Sequence, residues 1–130
     1  MEELTLEEKL RINADLIKEH LSPAAGFELA FNEASVAWID GFIERQRSRD
    51  DFDLAASDGL AQKLGSFVGE CMCNEFGGKW KQLDEGLGIV FSDGNAAFPL
   101  TKVRKQFANG SDDSILSFYR SAAALFSRQG

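Results

Sequence analysis

Apolar positions recur at helical spacing through the first half of this chain. Its middle carries short apolar runs broken by glycine and acidic residues. Leu6, Leu10, Ala14, Ile17 and Leu21 make one stripe, with Glu7, Arg11, Asp15 and Lys18 on other faces, which predicts an amphipathic first helix. Thr5 and Glu8 have the spacing of a capping box, in which each side chain satisfies a backbone amide that the helix start leaves open. Ser22-Pro23 is expected to end it, because proline disfavours helical geometry in the residue before it. A second helix, capped by Asn32 or Ser35, is predicted to bury Val36, Trp38, Ile39, Phe42 and Ile43. It runs out in Glu44-Arg45-Gln46-Arg47-Ser48-Arg49-Asp50-Asp51, which reads either as a basic hook for an anion or as a solvated helix end.

A polar link over 50–57 leads to a third helix that starts at Ser57 or Asp58 and reaches Phe76. Gly77-Gly78 stops it, since glycine takes the left-handed terminal conformation without a steric penalty. The period then changes. Residues 79–83, 87–91 and 96–100 are short apolar-rich runs, separated by Asp84-Glu85-Gly86 and Ser92-Asp93-Gly94-Asn95. They predict a three-stranded antiparallel meander, with the last strand at an edge because Pro99 cannot donate to a ladder. Thr101 is expected to cap a helix over 102–108 that Asn109-Gly110 ends. Ser111 or Asp112 then caps a last helix that buries Ile115, Phe118, Tyr119, Ala122 and Phe126. The order ααα-βββ-αα, with helices and strands segregated, predicts a single α+β domain over 1–130 whose sheet is covered on one face.

A chain of 130 residues, 44% hydrophobic and with eleven phenylalanines, is long enough to remove roughly two thirds of its unfolded surface from water. No run approaches the ~20 apolar residues of a spanning helix. Met1-Glu2-Glu3 lacks the basic start of a signal peptide, so a cytoplasmic protein that does not enter membranes is expected. The net charge of −7 falls in residues 1–56, with 13 acids and 6 bases; residues 57–130 hold 8 of each. A negative field repels phosphate backbones and disfavours nucleic acid. It suits a basic protein partner, or serves only as a solubility surface.

Few residues carry candidate chemistry. Gly65 and Gly69, four apart, share one side of the third helix, and the cost of two helical glycines points to close packing by another backbone, with the Gly41 region of the second helix as the candidate neighbour. Glu70 flanks the buried side of that helix and needs a donor, for which Trp80 Nε1–H, a strand-end amide and Arg104 are available. Cys71 and Cys73 are about 200° apart on the helix, so they can share neither a disulfide nor a metal and are expected to be buried thiols. With His20 as the single histidine, a zinc site lacks ligands, and no metal or other cofactor is expected. No nucleophile elbow, phosphate loop or H-E-x-x-H occurs. The glycines at 86, 88 and 94 are hairpin punctuation rather than a nucleotide fingerprint.

Three segments form a set: Ser35 to Glu44, which contains Trp38-Ile39-Asp40-Gly41; Leu64-Gly65 with Gly69-Glu70 and Gly77-Gly78-Lys79-Trp80; and Phe98-Pro99-Leu100-Thr101-Lys102-Val103. The set resembles a family of small bacterial domains of unassigned activity with an L-G-x-x-x-G-E helix, a G-G-x-W break and a later F-P-x-x-K-V segment. The resemblance covers roughly 35–119; it implies a fold and a bacterial origin and places no catalytic residue. The candidate binding or structural polar site is therefore Glu70, Trp80, Trp38 and Asp40, with no catalytic assignment. The leading functional expectation is a non-catalytic interaction or immunity-type module whose acidic half meets a basic partner. The alternative is a small-ligand or metal-free hydrolytic domain, its pocket between the third helix and the sheet and lined by Glu70, Trp80 and Phe98. A homodimer held by Phe91, Phe98, Phe118 and Phe126 is the third reading.

Overall fold

The computed structural model describes residues 3–126. Its elements are α1 (Leu6–Ala25), α2 (Glu33–Arg47), α3 (Asp58–Phe76), β1 (Lys79–Leu83), β2 (Gly86–Val90), β3 (Ala96–Ala97), α4 (Pro99–Asn109) and α5 (Ile115–Phe126). Short 3-10 turns at Ala55–Ser57 and Gly110–Asp113 lead into α3 and out of α4. The protein is an α+β domain with three helices before the sheet and two after it.

The capping box forms as its sequence predicts. Glu8 N–H donates to Thr5 Oγ1 at 3.1 Å, and Thr5 N–H to Glu8 Oε1 at 2.7 Å. Asn32, rather than Ser35, caps α2, accepting from Ser35 N–H at 3.0 Å. Ser35 turns its hydroxyl to Ala30 N–H. α1 continues past the expected stop to a left-handed Gly26. Proline in the last turn removes only one intrahelical bond. The Ser22 hydroxyl ties the end down, donating to Lys18 O at 2.5 Å and accepting from Leu29 N–H at 2.9 Å.

α3 is the central element. Besides Ala61, eight of its positions are buried, in a run interrupted only by Glu70: Leu64 to Gly69 on one side of it, Cys71 and Met72 on the other. α1 and α4 pack along α3, and the antiparallel sheet, in order β1-β2-β3, leans on its C-terminal half. Trp80 and Ile89 are cross-strand partners, and both point at Gly69. The expected close packing at the two glycines is present, but its partners are not α2. A β-carbon on Gly65 would stand 2.7 Å from Leu100 Cα of α4, and one on Gly69 would enter the Trp80 ring.

The expected third strand is shortened. β3 spans two residues, and Pro99 opens α4 instead of closing a strand. Proline fits the first helical turn, where its missing N–H would lack a partner anyway. Leu100 is thereby turned onto Gly65 of α3, and Thr101 lies within the helix rather than capping it; Phe98 holds the cap position. The start of α5 differs as well. Ser114, not Ser111 or Asp112, accepts from Ser117 N–H at 3.2 Å. Trp38 and Phe42 are half-buried on the flank of α2 instead of lying in the core.

Candidate functional site

Glu70 and Trp80 meet. The last turns of α3 set Glu70 beside β1, and Trp80 Nε1–H donates to its Oε2 at 2.8 Å. Of the three donors available in the sequence, the indole takes the carboxylate; Arg104 instead pairs with Asp58 at 2.8 Å. The Trp80 ring is 5% exposed because Gly69 leaves it room. A cation arrives from α1. Arg11 Nη1 stands 3.8 Å from Glu70 Oε1, its Nε binds Asp15 at 3.1 Å, and its guanidinium lies 4.7 Å over the Phe31 ring. Glu70 thus ties three elements, α1, α3 and β1, in a position where its side chain is 14% exposed.

A shallow groove of about 390 Å³ opens beside this contact, between α1 and β1, with Glu7, Arg11, Glu70, Cys73, Lys79 and Trp80 on its walls. It is not the pocket expected between α3 and the sheet. That interior is filled: Trp80 and Ile89 close on Gly69, and Ile89 and Phe91 close on Gly78. Phe98 lies elsewhere, against Gly88 and in the groove between β3, α4 and α5. The walls of the α1–β1 groove carry both acidic and basic side chains. Its thiol, Cys73, stays protonated at neutral pH, because burial and the neighbouring Glu70 push it up to about 12.

The thiol of Cys71 is more deeply placed. It points at Ala30 O at 3.9 Å, and burial, then Glu75, raise its pKa well above the ordinary value. Cys73 is half-buried rather than buried. His20 is exposed on α1. Among the described residues, no group of three or more His, Cys, Asp or Glu could hold a metal ion. No helix among them is long and apolar enough to cross a membrane.

Asp40 and Trp38 belong to a different part of the molecule and share no bond with Glu70 or Trp80. Asp40 Oδ2 accepts from the Ser114 hydroxyl at 2.5 Å and from Leu116 N–H at 3.0 Å, so it caps α5 from α2. Gln106 of α4 completes the network. Fully buried, it donates to Glu44 Oε2 at 2.9 Å and to Asp40 Oδ1 at 3.3 Å, and accepts from Ile115 N–H at 2.9 Å. Arg47 adds a bond to Phe107 O at 3.1 Å, so one arginine of the expected solvated run anchors α2 to α4. Trp38 faces away from this network, stacked on Phe42 at 5.4 Å with Arg45 5.2 Å from its ring.

Sequence reasoning passed over Gln106, Ser114, and the bond from the Tyr119 hydroxyl to Glu75. Gln106 left a signal: it sits three residues after Val103, a polar side chain on an apolar helical stripe. Such a residue needs buried partners, and the acids of α2 supply them. Burial and then the bond to Glu75 push the Tyr119 phenol upward, so it is neutral at physiological pH. No family model, curated protein or solved structure matches this chain.

Proposed function

We propose that this chain is a non-catalytic protein-interaction module, of the accessory or immunity type, whose acidic N-terminal helical half receives a basic partner. The observation that carries this reading is the state of its acids. Glu3, Glu7, Glu19 and Glu28 are exposed on α1 and its flanks, and none pairs with a cation of the described residues, while Arg11 is already engaged by Asp15, Glu70 and the Phe31 face. The other polar candidates spend their bonding capacity inside the fold, Glu70 on Trp80 and Asp40 on α5. The motif resemblance supports a bacterial protein, and a cytoplasmic location goes with that reading.

Unpaired surface acids raise the rate at which a basic protein arrives, and salt screens that effect. Affinity purification from the source organism at low salt, followed by binding measurements with the purified partner, tests the reading. A basic partner is expected whose association slows at least tenfold when Glu7, Glu19 and Glu28 are together replaced by lysine. Recovery of chaperones alone, or an association rate indifferent to both salt and the triple replacement, counts against it.

A further inference from the structure

A second surface feature lies far from these acids in the chain. It is a groove of about 680 Å³ between β3, α4 and α5, and its surface is mainly apolar: Ala97, Phe98, Phe118, Ala122 and Phe126. Leu125 stands on its wall with 74% of its surface exposed, more than any other large hydrophobic side chain described. An open apolar hollow beside a projecting leucine marks a contact surface rather than an ordinary scatter of surface carbon.

The charges around the groove are of both signs. Glu85 comes from the turn between β1 and β2, and Lys105 from α4; neither makes an ion pair within 4.0 Å of a described residue, and Lys105 feels Asp113 only at longer range. Lys102, also at the rim, is held by Asp113 at 3.0 Å. A uniformly acidic or basic partner would satisfy one of the two unpaired groups and oppose the other. A small apolar ligand would fill the hollow and leave Leu125 in water.

A second copy of the chain answers all of these features. A two-fold interface brings one patch against itself, and a surface with both a projection and a hollow, and with both charges, is able to complement itself. We propose that this groove is a homodimer interface, in which Leu125 of each copy enters the groove of the other and Glu85 of each copy faces Lys105 of the other. No residue of α1 lines the groove, so the dimer forms independently of the basic partner and displays two copies of the partner surface.

Sedimentation or light scattering of the full chain, from about 1 μM to 1 mM, reads the equilibrium directly. The mass is expected to double within that range. Leu125→Glu is expected to hold the chain monomeric throughout, with unchanged circular dichroism because Leu125 is exposed. Glu85→Lys and Lys105→Glu alone should each weaken the dimer about tenfold, and the two combined should restore it, because the reversed charges again face each other. A wild-type chain that stays monomeric to 1 mM overturns the proposal, as does a dimer indifferent to Leu125→Glu. Failure of the double reversal to restore association would reject the two-fold charge pairing.

Discussion

Gly69 of α3 and Trp80 of β1 share one volume: a β-carbon on the glycine would stand 2.2 Å from both Cη2 and Cζ2 of the indole. The same indole donates to Glu70, the next residue of the helix. One residue thus makes space for the ring, and its neighbour fixes the ring's orientation. The L-G-x-x-x-G-E and G-G-x-W segments are in this sense two halves of one contact between helix and sheet.

Glycines on α3 should therefore respond to alanine with opposite signs. Gly69→Ala forces the Trp80 ring out of place and is expected to cost about 1–3 kcal/mol, the range of overpacked cores. Gly65→Ala pushes on the backbone of α4 at Leu100 and should also destabilise. A β-carbon on Gly59 meets nothing within 4 Å, so Gly59→Ala should add up to about 1 kcal/mol through helix propensity alone. Denaturant melts of the three variants decide it; a Gly69→Ala protein as stable as the parent would mean that the ring is free to move.

Glu70 gives a graded series. Glu70→Gln keeps a carbonyl oxygen for the Trp80 N–H and loses only the charge facing Arg11, so a cost below about 1 kcal/mol is expected. Glu70→Ala leaves the indole N–H without its partner inside the fold, at about 1–3 kcal/mol. A cycle with Trp80→Phe should return a coupling of about 0.5–3 kcal/mol, as contacting residues do. Loss of partner or ligand binding by Glu70→Gln at unchanged stability would instead make the carboxylate a functional group.

Asp40 should control the docking of α5. Asp40→Ala removes the acceptor for Ser114 and Leu116 N–H and one bond of Gln106, with an expected cost of about 2–3 kcal/mol. Hydrogen exchange locates the effect: the Leu116 amide should lose protection more than the amides of α1. Uniform loss across the chain would show that Asp40 supports the whole fold rather than the start of one helix.

How much of this was legible in the sequence depended on whether a signal was local. The capping box at Thr5 and Glu8 and the stop at Gly77 are satisfied within four residues, and both form as read. Pro23 and Pro99 misled because a proline's meaning depends on its neighbours. Pro23 is tolerated because Ser22 binds Leu29 beyond the helix end, and Pro99 opens a helix because Leu100 has Gly65 to pack on. Asp40 stood out only as a member of a motif. Its partners lie 66 to 76 residues away, a distance that no spacing rule reports.

Alkaline pH should weaken the fold through groups that remain protonated in it. Cys73 titrates at about 12 in the folded chain against an ordinary 9.0, and Cys71 and Tyr119 are shifted in the same direction. The folded state therefore holds these protons more tightly than the unfolded chain does. Their contribution to stability is intact below about pH 9, and it declines as pH rises from there toward 12, because only the unfolded chain then releases the protons. Denaturation midpoints at pH 8, 9, 10 and 11 should fall progressively over the last three. Cys73→Ser replaces the thiol by a hydroxyl that does not titrate in this range, so its decline should be shallower by one proton's share. A midpoint constant from pH 8 to 11 would mean that both thiols ionise in the folded chain as readily as in the unfolded one, and that their burial is not maintained in solution.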